Sequence, residues 1–200
     1  MFVPSSAELL GFADDLIEKR DALINLRGRH LADAPVIWEK VDVITAEVQE
    51  FVRRQRLGFV ATVAPDGTPA VSPKGTTTVW DDSHLVFADI ASPGTVRNLR
   101  ANPAVQVNVV DVILLRGYRF TGTAEVHDRG SLFERGVHLY AERGLAAPES
   151  RIRTIVLIAV TAVEPLWSPA YDLGQSEDEL RDQWWSYWAA IYDPGPTRLP

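Results

Sequence analysis

Two hundred residues, 46% hydrophobic and 24% charged, suit one domain with a sizeable core, and the formal net charge of -7 argues against nucleic-acid binding through a broad basic surface. Cysteine is absent, which excludes disulfides, thiolate metal sites and a cysteine nucleophile, and is compatible with a cytoplasmic protein. Met1-Phe2-Val3-Pro4, followed by charged residues from Glu8 onward, lacks a signal-peptide pattern, and the longest apolar run, Ile155 to Val160, is too short to span a bilayer.

Ser5 with Glu8 forms a capping-box pattern, and Leu9, Phe12, Leu16, Leu23 and Ile24 then follow helical spacing, which predicts an amphipathic helix to about Leu26. Residues 27–43, with Gly28 and Pro35, read as a connector. Thr45 is the expected cap of a second helix carrying Val48, Phe51 and Val52 on one face and ending near Gln55.

From Leu57 the period changes to that of strands. Leu57 to Ala64, the turn Pro65-Asp66-Gly67-Thr68 and the return Pro69 to Ser72 predict a hairpin. Thr76 to Trp80 reads as a further strand or a bent extension, and His84 to Asp89 as another. The loop Ser92-Pro93-Gly94-Thr95 leads into a short helix that begins at Thr95 and stops before Asn102-Pro103, because proline disfavours helical geometry in the residue before it.

Val105 to Val109 and Tyr118 to Val126 alternate as half-buried strands, Leu132 to Arg143 has helical spacing ending at Gly144, and Arg153 to Val163 is a β-branched run suited to a buried strand. Ser176 with Glu179 caps a last helix with Leu180, Trp184, Trp188 and Ile191 along one face, and the tail Asp193 to Pro200 is rich in proline and glycine. Hairpins in sequence without βαβ alternation favour a barrel: mainly β, antiparallel, with flanking helices.

Within this order, the loop before the short helix is a natural anion site, because free backbone N–H groups and the positive end of the helix dipole point out of it. Lys74 would add a cation if its strand lies beside that loop, and a phosphate is the obvious candidate. Lys74 can equally be a solvated strand-end lysine, Thr95 a plain helix cap and Asn98 an exposed helix residue. His30, His84, His127 and His138 have no ligand spacing, so no metal site is expected. No nucleophile elbow, P-loop or dinucleotide fingerprint occurs. The tryptophans at 184, 185 and 188 have the spacing of core or dimer contacts, with stacking on a substrate as the other reading.

Gly58-Phe59-Val60-Ala61-Thr62-Val63, Asp66-Gly67-Thr68-Pro69, Val71-Ser72-Pro73-Lys74-Gly75, Phe87-Ala88-Asp89, Thr95-Val96-Arg97-Asn98-Leu99, Asn102-Pro103 and Arg116 to Gly122 resemble, in order and spacing, the pyridoxamine-phosphate-oxidase-like family of flavin-binding split barrels, over roughly residues 45–165. The resemblance implies a six-stranded antiparallel split barrel, a homodimer, FMN held in clefts at the dimer interface, and flavin-dependent oxidoreductase activity on a small organic molecule. Neither a nucleic-acid nor a membrane partner is implied. It divides the chain into an N-terminal helical extension at 1–44, the barrel domain at 45–165, and a C-terminal helical extension and tail at 166–200, together one compact domain.

Carried over by position, Lys74 faces the FMN phosphate with Ser72 and Gly75 beside it. Ala88 and Asp89 lie along the cofactor by their backbone, Thr95 and Asn98 surround the phosphate, and Arg116 and Gly117 lie near the isoalloxazine. No catalytic residue is implied, because the flavin carries the redox chemistry. Two departures stand out. Pro93-Gly94-Thr95 replaces a Ser-Arg-Lys pattern of the true oxidase, with Arg97 a further phosphate candidate, and the oxidase's C-terminal Arg-x-His signature is absent, so the chain is not expected to be that oxidase. The alternatives are a deazaflavin- or haem-binding split barrel, or a flavin-binding module without turnover.

Overall fold

The computed structural model describes residues 44–144 and 151–192; all of them fall in the unit Lys40–Pro200, the second of the two into which the chain divides. The helix expected to Leu26, the connector 27–43 and the tail from Asp193 lie outside the described residues. Helix α1 spans Ala46–Gln55; the Thr45 side chain accepts a hydrogen bond from the Val48 N–H at 3.4 Å, and Val48, Phe51 and Val52 are its buried face. It ends at Arg56, whose left-handed backbone lets its N–H return to the Val52 carbonyl.

Seven strands follow: β1 Gly58–Val63, β2 Pro69–Lys74, β3 Thr78–Val79, β4 His84–Asp89, β5 Ala104–Asp111, β6 Arg116–His127 and β7 Thr154–Trp167. They form one antiparallel sheet in the order β2-β1-β5-β6-β7-β4-β3. The expected count of six strands is corrected to seven by β3, which takes only two residues of the predicted Thr76–Trp80 strand. Its start is delayed because Thr77 turns back, its N–H and hydroxyl both donating to the Lys74 carbonyl at 3.2 and 3.0 Å.

This turn decides the shape of the sheet. β2 and β3 occupy its opposite edges, yet three residues join them, and a chain that short reaches at most ~14 Å from Lys74 to Thr78. The sheet must therefore curl until its edges approach. They are not hydrogen-bonded to each other, which leaves the barrel split. β6 and β7 form its long wall, with an extra residue, Thr161, in β7 opposite the step between Thr121 and Gly122. β7 outruns the predicted end at Val163 because β6 pairs with it to Trp167.

Inside the curl, Val60, Leu85, Phe87, Val107, Phe120 and Ile158 are almost fully buried and meet the apolar face of α1. A second core lies on the other side of β4 and β7, where helix α3, Ser131–Glu142, brings Tyr140 onto Val86, Ala88 and Ile155. Gly136 permits that approach, since a Cβ there would sit 2.7 Å from the Ile155 side chain. Buried Tyr140 donates its hydroxyl to the Thr76 carbonyl at 2.9 Å, and Arg143 donates to the Thr78 hydroxyl at 2.7 Å, so α3 secures the turn that closes the sheet. Tyr140→Phe should cost about 1 kcal/mol, the worth of one buried hydrogen bond, read as a lower urea midpoint with unchanged slope.

Helix α2 spans Pro93–Ala101, so it begins two residues before the expected Thr95; proline tolerates the first helical position, where its missing N–H would have no partner. The expected stop before Asn102-Pro103 holds. The four-residue helix α4, Pro169–Asp172, is not among the predicted elements, although Ser168 caps it by accepting from the Ala170 N–H at 3.2 Å and Pro169 takes its first position. Helix α5, Glu177–Tyr192, carries the expected capping box: Ser176 N–H donates to Glu179 Oε2 at 2.8 Å and Glu179 N–H to Ser176 Oγ at 3.3 Å. Of its predicted apolar face only Leu180 is buried; Ile191 is exposed, as are Trp185 and Tyr187. Among the described residues no helix is long and apolar enough to cross a membrane.

Candidate functional site

Alternation along β2 turns Ala70, Ser72 and Lys74 to the inner side of the curl and leaves Val71 and Pro73 outside. Lys74 is consequently only 4% exposed. Its ammonium donates to Ser72 Oγ at 2.6 Å and lies 5.8 Å from the centre of the Phe87 ring on β4. An ammonium has three donors, and this is the one hydrogen bond it makes among the described residues. The curl that brings β4 across also brings Asp89, which is buried and within electrostatic reach of Lys74.

Asp89 connects this cation to α2. Its Oδ1 accepts from the N–H of Ser92, the residue that precedes the helix, at 2.9 Å, and its carbonyl accepts from the Arg153 N–H at 2.9 Å. The Ser92 side chain makes no capping bond, so the first turn of α2, with Gly94 and Thr95, keeps N–H groups free of side-chain partners. A Cβ built on Gly94 meets no atom within 4 Å, and neither does one on Gly75. Space therefore exists in front of the helix end and beside Lys74.

Thr95 and Asn98 are on the buried face of α2. Asn98 donates to Thr62 Oγ1 at 3.1 Å across to β1, and its own amide oxygen is buried with no partner. Turning the amide over would let Thr62 donate instead and would leave an N–H donor free, since the amide oxygen and nitrogen have nearly the same size and shape. In either orientation the site carries one polar atom in need of a partner. Lys74 with two unused donors, an uncapped helix start and open space at Gly94 fit a phosphate-bearing group such as FMN. The Asp89 carboxylate partly offsets that positive field.

Ala88 is placed differently from the other residues expected here. Its N–H and carbonyl both bond the Thr76 hydroxyl, at 3.1 and 2.9 Å, so its backbone can offer a cofactor a contact surface but no free N–H. Arg116 and Gly117 are not brought to Lys74. Strand register aligns Lys74 with Gly58, Val109 and Tyr118, three strand spacings or ~14 Å of sheet. Arg116 and Gly117 instead line a cavity of about 260 Å³ with Phe51, Tyr118 and Trp167. There Arg116 pairs with Glu177 of α5, and its guanidinium lies 5.8 Å from the Trp167 ring centre. Arg97 is exposed and lines a cavity of about 400 Å³ beside the start of α2, together with Asp89, Pro93, Val96, Arg100 and Arg153.

Thr62, Thr76 and Glu177 escaped sequence reading. Thr76 lay inside a predicted strand, Thr62 was one of several alternating strand residues, and Glu177 is 61 positions from its partner Arg116. No local pattern marks any of the three.

Burial pushes the Lys74 ammonium below its ordinary value of 10.5, with Asp89 pulling the other way. The folded chain then gives up this proton before the unfolded chain does. Between the depressed value and 10.5 the unfolded state binds more protons, so stability rises with pH there and falls again as pH drops through the depressed value. Urea midpoints should therefore climb as pH rises toward 10.5 in the wild type relative to Lys74→Met.

The sequence model of the family described as pyridoxamine 5'-phosphate oxidase matches residues 44–166, the extent expected from the motifs. No curated protein matches the sequence. Among solved structures the chain is similar to Group A Streptococcus HupZ, with 29% identity over 62% of this chain and 95% of that one and a TM-score of 0.56. It is similar also to a Lactobacillus delbrueckii protein described as a candidate pyridoxamine 5'-phosphate oxidase, with 29% identity, 62% and 95% coverage and a TM-score of 0.50. An FMN-binding protein from Syntrophomonas wolfei shares the fold at 13% identity, with 75% and 95% coverage and a TM-score of 0.50. The ordered motifs, the curled antiparallel sheet and the match across more than half of the chain lead to one conclusion: this chain belongs to the pyridoxamine 5'-phosphate oxidase family.

Proposed function

We propose that the chain is an FMN-dependent oxidoreductase acting on a small organic molecule, and that it works as a homodimer with the cofactor in clefts at the interface. The observation that carries this reading is the buried Lys74 ammonium, with two donors unused among the described residues, coupled through Asp89 to the uncapped start of α2. Lys74, the α2 N–H groups and Asn98 would hold the phosphate; Ser72 orients the ammonium by accepting its proton donor. Gly75 and Gly94 leave room for it. When bound, FMN supplies the redox chemistry, accepting and passing on electrons or a hydride.

The dimer reading is supported by the outer face of the β1–β2 hairpin, where Phe59, Val63 and Val71 are exposed together with Leu57 just before it. Arg116 and Gly117, too far from Lys74 within one protomer to share one phosphate group, would meet the cofactor's ring system across such an interface. Titrating the purified chain with FMN tests the reading: quenching of flavin fluorescence and a shifted flavin band are expected, with riboflavin binding more weakly. A chain that leaves both spectra unchanged is not a flavoprotein. Anaerobic mixing of the loaded protein with NADH or NADPH then separates an oxidoreductase, whose flavin band bleaches, from a module that only stores flavin.

A further inference from the structure

A second, larger cavity of about 450 Å³ opens beside the one that holds Gly117. It is formed where the β5–β6 turn and the end of β7 meet α5, and Val112, Leu115, Leu166, Trp184 and Trp188 supply most of its wall. Arg116 and Trp167 line both cavities. The volume is in the range of small-ligand pockets, roughly 300–1,000 Å³. Two of its lining residues, Trp184 and Trp188, are set one helical turn apart on α5, a helix that begins after the family match ends at residue 166. The pocket is thus part family barrel and part a segment outside the family match.

Two further observations say what would fit. The Trp188 indole N–H is buried with no acceptor among the described residues, an unmet bond that favours a ligand carrying a hydrogen-bond acceptor. The charge of Arg116 is already balanced by Glu177, so the pocket has no spare cation for an anionic ligand. We infer that this cavity is a binding site for a planar, neutral, mostly apolar molecule with a carbonyl-type acceptor, lying against the α5 tryptophans and bonded by Trp188. Because it adjoins Arg116 and Gly117, it is the substrate pocket of the flavin site proposed above, and that last assignment rests on the FMN reading.

Prodan, a neutral planar naphthalene ketone whose emission shifts to the blue in apolar surroundings, tests the site in the full-length, flavin-free chain. One-to-one binding with a blue shift is expected. Trp188→Phe keeps the ring and removes the N–H, and should weaken prodan binding roughly three- to tenfold. Trp184→Ala removes a wall and should weaken it about tenfold or more. Far-UV circular dichroism of both variants should match the wild type, so that weaker prodan binding reads as a lost contact and not as a lost fold. Absent prodan binding, equal binding in wild type and Trp188→Phe, or binding lost at high protein concentration because a second copy covers α5 would each overturn the inference. With no flavin in the assay, a failure of the FMN reading leaves this result readable in its own right.

Discussion

Lys74→Met should weaken FMN binding about ten- to a hundredfold and leave riboflavin binding nearly unchanged. The estimate is the worth of one or two charge-assisted hydrogen bonds to phosphate, roughly 1.5–3 kcal/mol, at about 1.4 kcal/mol per factor of ten. Methionine keeps most of the apolar stem and removes the charge that lies 5.8 Å from the Phe87 ring centre. The folded protein should not suffer, because the variant no longer buries an ammonium that is 4% exposed; a small gain in urea midpoint at neutral pH is expected. Equal losses for FMN and riboflavin would place the ammonium away from the phosphate. Wild-type FMN affinity should also decline as pH rises toward 10.5, since burial has already lowered the pKa of the group that holds the anion, whereas Lys74→Met should show no such decline.

Gly117→Ala should destabilise the fold by about 3 kcal/mol, a fall of roughly 6–12 °C in melting temperature for a chain of this size. A Cβ at this position would lie 2.2 Å from the Val109 carbonyl oxygen and 2.8 Å from the Val110 Cα. Both are backbone atoms of β5, the strand paired with β6 at Val110 and Gly117, so relief requires the ladder itself to shift. Gly75→Ala is the control. No atom lies within 4 Å of its added Cβ, and its stability should change by less than about 0.5 kcal/mol. Calorimetry on the two variants distinguishes a glycine needed for backbone approach from one whose use, if any, is room for a ligand. Should both variants melt with the wild type, the tight β5–β6 approach is wrong.

Local pattern carried most of the element order. The Thr45 cap, the Pro65–Thr68 turn, the break at Asn102-Pro103 and the Ser176 capping box are each decided within a few residues, and each is found where expected. Proline at the start of a helix is permitted but not required, which is why α2 begins at Pro93 rather than at Thr95. The face of α5 illustrates the opposite limit: its spacing is helical, but period cannot say what covers it, and only Leu180 is buried among the described residues.

The sequence by itself determined the family, the antiparallel hairpins and the choice of Lys74 with the start of α2 as one candidate anion site, because those depend on turn chemistry, alternation and motif order. Only the tertiary structure decided that the three-residue link Gly75–Thr77 curls the sheet, that Lys74 is buried against Phe87 with Asp89 in reach, and that Arg116 is set apart with Glu177 in a different cavity. These are relations between residues far apart in the chain. They arise from strand register and sheet curvature, which no window of neighbouring residues contains.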